Sequence, residues 1–296
     1  MVTYTKNEYI VLFDSTSPSA NVKKIVHSLA DNVSQLSIYE ENEANSAGYY
    51  SAKLKYSGQS KLVLKFGVHE GTCSDKSSII QLRLTIGAED LNSQGNYDSE
   101  YWLGYTNYSD GYVSSNYRNK ILELNKTVNS FKYTVLAFDD AIYLVFKAVK
   151  TSSGVEFQDL GAIFLSPFVD QFTSEKIGGC LYWRPNDYYG TGMESSIKSI
   201  MHNGKATQSY TSNYVVVGGT KYYAGANSVA SPIVWKSGDY ASIPFYGFAN
   251  NSEFLYQIRT GSSSDELNIA LGAKVEIGGH TFVCIRMAIG LFVRIS

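Results

Sequence analysis

FKYTVLAFDDAIYLVFKAV, residues 131–149, is the stretch that decides the fold. Phe131, Tyr133 and Val135 alternate with Lys132, Thr134 and Leu136. Asp139 and Asp140 reverse the chain, and Ile142, Leu144 and Phe146 then alternate with Tyr143, Val145 and Lys147. Period-two alternation with an acidic turn is the mark of a β-hairpin. Both faces are largely apolar, whereas a strand with one wet face alternates apolar with polar. The hairpin is therefore expected at the centre of a sandwich or of a larger assembly, with Leu136 and Leu144 both buried in the N-terminal sandwich. The acidic pair reads as turn chemistry rather than a reactive site.

Outward from the hairpin, three further stretches have the same period. They are the strand around Ala52–Tyr56, Leu62 to Val68, and Ile80 to Ile86, which suggest an antiparallel sheet with one wet face. Phe157 to Phe168 reads as a buried strand ending at Pro167, and residues 177–192 read as a strand followed by a second aromatic loop, in which Trp183, Tyr188 and Tyr189 surround Arg184 and Asp187. Before them stand a short strand, Tyr9 to Phe13, and one amphipathic helix, 21–36, with Val22, Ile25, Val26, Leu29, Val33 and Leu36 on one stripe. His27, Lys23 and Lys24 fall on the opposite face, and an acidic loop, Glu40, Glu41 and Glu43, follows.

Residues 202–213 are polar, hold an Asn-Gly turn and lack a periodic apolar pattern, which places a boundary there. Beyond it short strands recur: 214–217, 233–236, 243–248, 254–258, 268–271, 274–277, 281–287 and 291–295. Gly278 and Gly279 form a tight turn. The expected fold is mainly β. Residues 1–205 form an antiparallel, jelly-roll-like β-sandwich with one helix, and 206–296 a smaller all-β sandwich or barrel.

At 296 residues the chain is long enough to bury a large core unaided. Its 25 Lys and Arg balance 27 Asp and Glu, for a net charge of -2, and the basic residues do not cluster beyond Lys23 and Lys24. A nucleic-acid groove needs a concentrated positive field, so nucleic acid is not an expected partner. No apolar run is long enough to span a bilayer and the first residues lack an export-signal pattern, so neither membrane insertion nor export is expected. The Asn-X-Ser/Thr sites at Asn32, Asn107, Asn125 and Asn250 then read as chance products of a Ser- and Asn-rich chain.

Chemistry-bearing patterns are sparse. Cys73, Cys180 and Cys284 are far apart and odd in number, and His27, His69, His202 and His280 have no ligand spacing. Ser195 and Lys198 make an SxxK spacing without its partner motifs, and the carboxylate pairs sit in turns rather than across a cleft. No catalytic residue, metal site or cofactor is assigned. A structural Ca²⁺ on the Glu40–Glu43 loop is the one metal alternative.

Two stretches carry the candidate binding residues. Residues 95–119, GNYDSEYWLGYTNYSDGYVSSNYRN, hold Tyr97, Tyr101, Trp102, Tyr105, Tyr108 and Tyr112. Residues 177–192 hold Trp183, Arg184, Tyr188 and Tyr189. Tyrosine gives large contact area at low entropic cost, and Ser, Gly and Asn give adaptable hydrogen bonds, as in antibody paratopes. An interface or ligand surface competes here with plain packing of rings on the sheet below.

Stretches such as VLAFDDAIYLVFKAV, FQDLGAIFLSPF and the closing IGGHTFVCIRMAIGLFVRIS, in a near-neutral chain rich in Tyr, Ser, Asn and Gly, resemble segments of tailed-bacteriophage virion structural proteins of the neck, tail, baseplate or capsid-decoration type. The resemblance implies a non-enzymatic homo-oligomer, a ring or shell assembled in the bacterial cytoplasm and located in the virion. Its partners would be copies of itself and neighbouring virion proteins. Neither a repeat nor a heptad is present, which disfavours a fibre shaft. The alternatives are a carbohydrate-binding β-sandwich that stacks a host-surface glycan on Trp102, Tyr105, Trp183 and Tyr189, and a glycoside hydrolase.

Overall fold

In the computed structural model the hairpin is built of β7 (Ser130–Phe138) and β8 (Ile142–Lys150), reversed at Asp139 with the Phe138 N–H donating to the Ala141 carbonyl at 2.8 Å. The structure describes residues 4–13, 16–44, 48–57, 62–73, 78–88, 112–113, 122–124, 130–139, 141–150, 156–169, 176–183, 197–201, 206–210, 214–217, 220–223, 231–232, 234–235, 243–244, 255–257, 270–277, 279–286 and 291–295.

The hairpin sits inside a seven-stranded antiparallel sheet. Its other members are β1 (Tyr4–Leu12), β9 (Glu156–Val169), β10 (Lys176–Trp183), β11 (Ile197–Met201) and β12 (Ala206–Tyr210), in the order β1-β7-β8-β9-β10-β11-β12. A second sheet stacks β2 (Leu36–Asn42), β3 (Ser51–Tyr56), β4 (Leu62–Cys73) and β5 (Ser78–Ala88) in chain order, and β6 (Tyr112–Val113) pairs with the end of β4. Both sheets are meanders rather than the Greek-key crossings of a jelly roll; the non-sequential neighbours along these two paths are β1 and β7. The last strand of the first sheet, β12, lies within residues 202–213.

One core joins the sheets. Phe131, Tyr133, Val135, Ile142, Leu144 and Phe146 of the hairpin meet Leu54, Leu64, Phe66, Leu82 and Leu84 of the second sheet. The Phe131 and Phe146 rings stack at 5.6 Å, and the Tyr9 and Tyr133 rings at 5.0 Å. The helix α1 (Pro18–Asn32) enters the same core with Val22, Ile25, Val26 and Leu29 fully buried. Each such side chain contributes about 1.5–3 kcal/mol by leaving water. Between the hairpin and the helix, Tyr133 donates its hydroxyl to the Ser28 carbonyl at 2.8 Å, and Asn32 donates to the same phenol oxygen at 3.2 Å. Burial raises the Tyr133 pKa, so the phenol stays a neutral donor.

The helix spans 18–32 rather than 21–36. Ser17 caps it, with its side chain accepting from the Ala20 N–H at 3.4 Å, and Pro18 opens the first turn, where its missing N–H costs nothing. At the other end Val33 is extended, and its N–H donates to the Leu29 carbonyl. Leu36 continues the apolar stripe in sequence but reaches the core from strand β2.

Leu136 and Leu144 are both fully buried, on opposite faces of the hairpin. Leu144 belongs to the shared core. Leu136 is covered from the other side by the turn at Gly272, where a Cβ would come within 3.1 Å of Lys6 Cδ and 3.4 Å of Leu136 Cδ2. That turn has φ +82 and is fastened by the Tyr4 hydroxyl, which donates to the Gly272 carbonyl at 2.6 Å. Glycine therefore answers both the backbone angle and the lack of space.

The second sheet departs from the expected single wet face. Lys53, Lys55 and Lys65 are only partly buried on its outer side, yet Val63, Ile79 and Gln81 on that side are buried. Its β3 end is wet and its β5 end is covered. Glu40 and Glu41, read as loop, are strand residues of β2, held there by pairing to Lys53 and Ala52.

Among the described residues, the C-terminal part is also built of β-strands. A five-stranded sheet has the order β15-β18-β21-β20-β19, from β15 (Ser231–Pro232), β18 (Leu255–Gln257), β19 (Lys274–Ile277), β20 (His280–Arg286) and β21 (Leu291–Arg294). Two small ladders pair β13 (Tyr214–Val217) with β14 (Thr220–Tyr223) and β16 (Val234–Trp235) with β17 (Ile243–Pro244). Ile277 pairs with His280 across a two-residue turn, and Gly279 has φ +80. Of the expected strand at 268–271, residues 268–269 lie outside the described residues, and Leu271 begins a turn.

Candidate functional site

Tyr97, Tyr101, Trp102, Tyr105, Tyr108, Arg184, Tyr188 and Tyr189 lie outside the described residues. The structure places the backbone of the remaining two. Trp183, expected in the aromatic loop, instead ends β10, where its pairing opposite Ala162 keeps it extended, and Tyr112 lies in β6, parallel to β4 at Thr72.

The anchors of the tyrosine-rich stretch can be followed. It leaves β5 at Ala88, opposite Leu62 at one end of β4, and touches the other end of β4 through Tyr112 and Val113. It then returns along β5, where the Leu82 N–H donates to the Leu122 carbonyl at 3.3 Å and the Leu124 N–H to the Ile80 carbonyl at 2.8 Å. Three attachments thus span a strand of 12 residues, about 40 Å. From the core side, Asn21 of α1 donates its side-chain amide to the Leu124 carbonyl at 2.7 Å.

Beneath the last anchor lies a polar group. Gln81 is fully buried and bridged by backbone to Glu123, itself buried; His69 lies opposite Gln81, and Arg83 is two residues along. Among the described residues, neither amide atom of Gln81 makes a hydrogen bond. A buried amide without partners costs about 1–3 kcal/mol. Gln81→Leu, which removes the polar atoms at similar volume, is expected to raise unfolding free energy by about 1 kcal/mol in urea titration. A loss of stability would mean that the amide is satisfied in solution.

A second polar cluster fixes α1 to the second sheet. Glu41 accepts from His27 Nε2 and from the Tyr50 hydroxyl, both at 2.9 Å, with Lys23 at 3.9 Å; Lys23 also pairs with Glu43, and Lys53 with Glu40. The hydrogen bond from His27, then that from Tyr50, holds the Glu41 carboxyl below its ordinary 4.5. Burial, then Glu41, pushes the Tyr50 phenol far up. A carboxylate with a lowered folded pKa stabilises the fold above its unfolded value and loses that contribution as pH falls through the folded one. Stability should therefore fall on acidification below pH 4.5, less steeply in Glu41→Gln, as read by denaturant titrations at a series of pH values. These carboxylates are engaged by the protein's own donors, and among the described residues no three His, Cys, Asp or Glu side chains converge on a metal position.

The third feature is an edge. β1 ends the seven-stranded sheet and, among the described strands, pairs with β7 alone, over nine residues without a bulge. Thr5 to Glu8 are exposed, as are Ile10 at 55 % and Leu12 at 70 %. Glu8 is bound to Lys132 at 2.7 Å, a hydrogen bond that lowers its pKa and keeps it charged. An open edge with apolar side chains is a template for another strand.

No protein-family model, curated protein or solved structure matches this chain. Sequence patterns missed the edge because Thr5-Lys6-Asn7-Glu8 is a polar run without strand periodicity, and only its pairing with β7 makes it a strand.

Proposed function

We propose that this protein is a non-enzymatic structural component of a phage virion, self-assembling into a ring or shell and touching its neighbours through edges and aromatic loops. The observation that carries the assembly part is the β1 edge, without a second pairing strand among the described residues and with Ile10 and Leu12 exposed. A freely diffusing monomer gains nothing from such an edge and risks aggregation by it. The sparse charge and 24 tyrosines suit the same role, since contact surfaces are depleted in charge and enriched in aromatics. The virion placement rests on the resemblance of the quoted stretches. Mass spectrometry of purified particles from a host carrying the gene is the test. Recovery of the chain at many copies per particle is expected, and its consistent absence from particles would overturn the placement.

A further inference from the structure

We propose that β1 is a self-association strand: two copies of this chain join antiparallel, β1 to β1, about a two-fold axis at Asn7, so that their seven-stranded sheets become one continuous sheet. The inference deepens the assembly reading and rests on it, by naming the first contact.

The register follows from the side chains. A two-fold axis perpendicular to a sheet keeps each face continuous, so directly opposed residues share a face and the pairing can slide only in steps that preserve it. Lys6 and Glu8 lie on one face, with Tyr4 and Ile10. Centring the axis on Asn7 sets Lys6 against Glu8 of the second copy twice over, by symmetry. Centring it on Lys6 or on Glu8 sets like charges against each other, which is unfavourable across a strand pair.

Nearer features agree with that register. Glu8 gives Oε2 to Lys132, while its Oε1 lies 3.9 Å from Lys6, a loose contact with room for a second cation. Ile10, more than half exposed, would meet Tyr4 of the second copy, a ring already fixed by Gly272 and by Phe138 at 5.9 Å. Edge strands are commonly protected by a charge that repels any partner. Here the two charges have opposite sign and are spaced to complement a second copy. Such a contact is isologous and closes in pairs, so a ring needs a further, heterologous contact elsewhere.

The test is sedimentation of the full chain with charge reversals. Lys6→Glu alone and Glu8→Lys alone should each weaken the dimer by about tenfold or more. An equimolar mixture of the two should restore it, because the acidic edge then faces the basic one. Asn7→Cys should cross-link into a covalent dimer on mild oxidation, and Thr5→Cys, four residues out of register with its own copy, should not. Failure of the mixture to restore dimers, or equal cross-linking at both positions, would overturn the β1 contact. If wild type forms larger assemblies while Asn7→Cys does not cross-link, the β1 contact is wrong and the assembly reading survives. If wild type is monomeric throughout, both fall.

Discussion

Phe146→Ala is expected to lower unfolding free energy by about 3–5 kcal/mol, the range for removing a large ring from a packed core. Phe146 is fully buried on β8, stacked on Phe131 and opposite Gly161 of β9. It stands where the central hairpin meets the second sheet. The ring's neighbours come from different strands and cannot all collapse into the void, which places the cost toward the upper part of the range. A marginally stable domain has only about 5–15 kcal/mol to lose. The variant should show a lower denaturation midpoint with little change in the slope of the transition. Phe146→Leu, which fills most of the volume, should recover much of the loss.

The second large effect is expected at Gly161. The pairing of β8 with β9 slips between Phe146 and Lys147, where Phe146 faces Gly161 but Lys147 faces Asp159, leaving Leu160 as the extra residue. Strict alternation would send Leu160 and Ile163 to opposite faces, yet both lie in the shared core. The bulge turns one of them round. Gly161 makes that possible with φ +132, a region that costs any other residue about 1–3 kcal/mol. It is also buried, so a branched side chain adds an overpacking cost of about 1–3 kcal/mol. Gly161→Val should therefore destabilise the fold by several kcal/mol, measured by the same titrations, and Gly161→Ala by less. A neutral Gly161→Val would show that the bulge is not required.

What was legible in the sequence follows from how local its cause is. The hairpin could be read because alternation and turn chemistry lie within 19 adjacent residues, and burial of Leu136 and Leu144 follows from two apolar faces. The helix ends were off by a few residues because Leu36 continues a 3.6-residue stripe by position while entering the core from a strand. Strand β1 reads as a strand only from Tyr9 onward, since its polar half, Thr5 to Glu8, is made extended by β7, 126 to 132 residues away in the chain. The bulge at Gly161 and the orphan amide of Gln81 have no pattern at all in one dimension. Both depend on which strand lies opposite. The candidate edge was hidden for the same reason, because an edge is defined by which strands pair with it, and among the described strands β1 pairs with β7 alone.

Sedimentation equilibrium of the full chain tests the central claim, self-assembly, most directly. A mass of two or more times 32.7 kDa, falling toward the monomer on dilution or staying fixed as a closed ring, is the expected result. A single 32.7 kDa species at every concentration up to the solubility limit would contradict it.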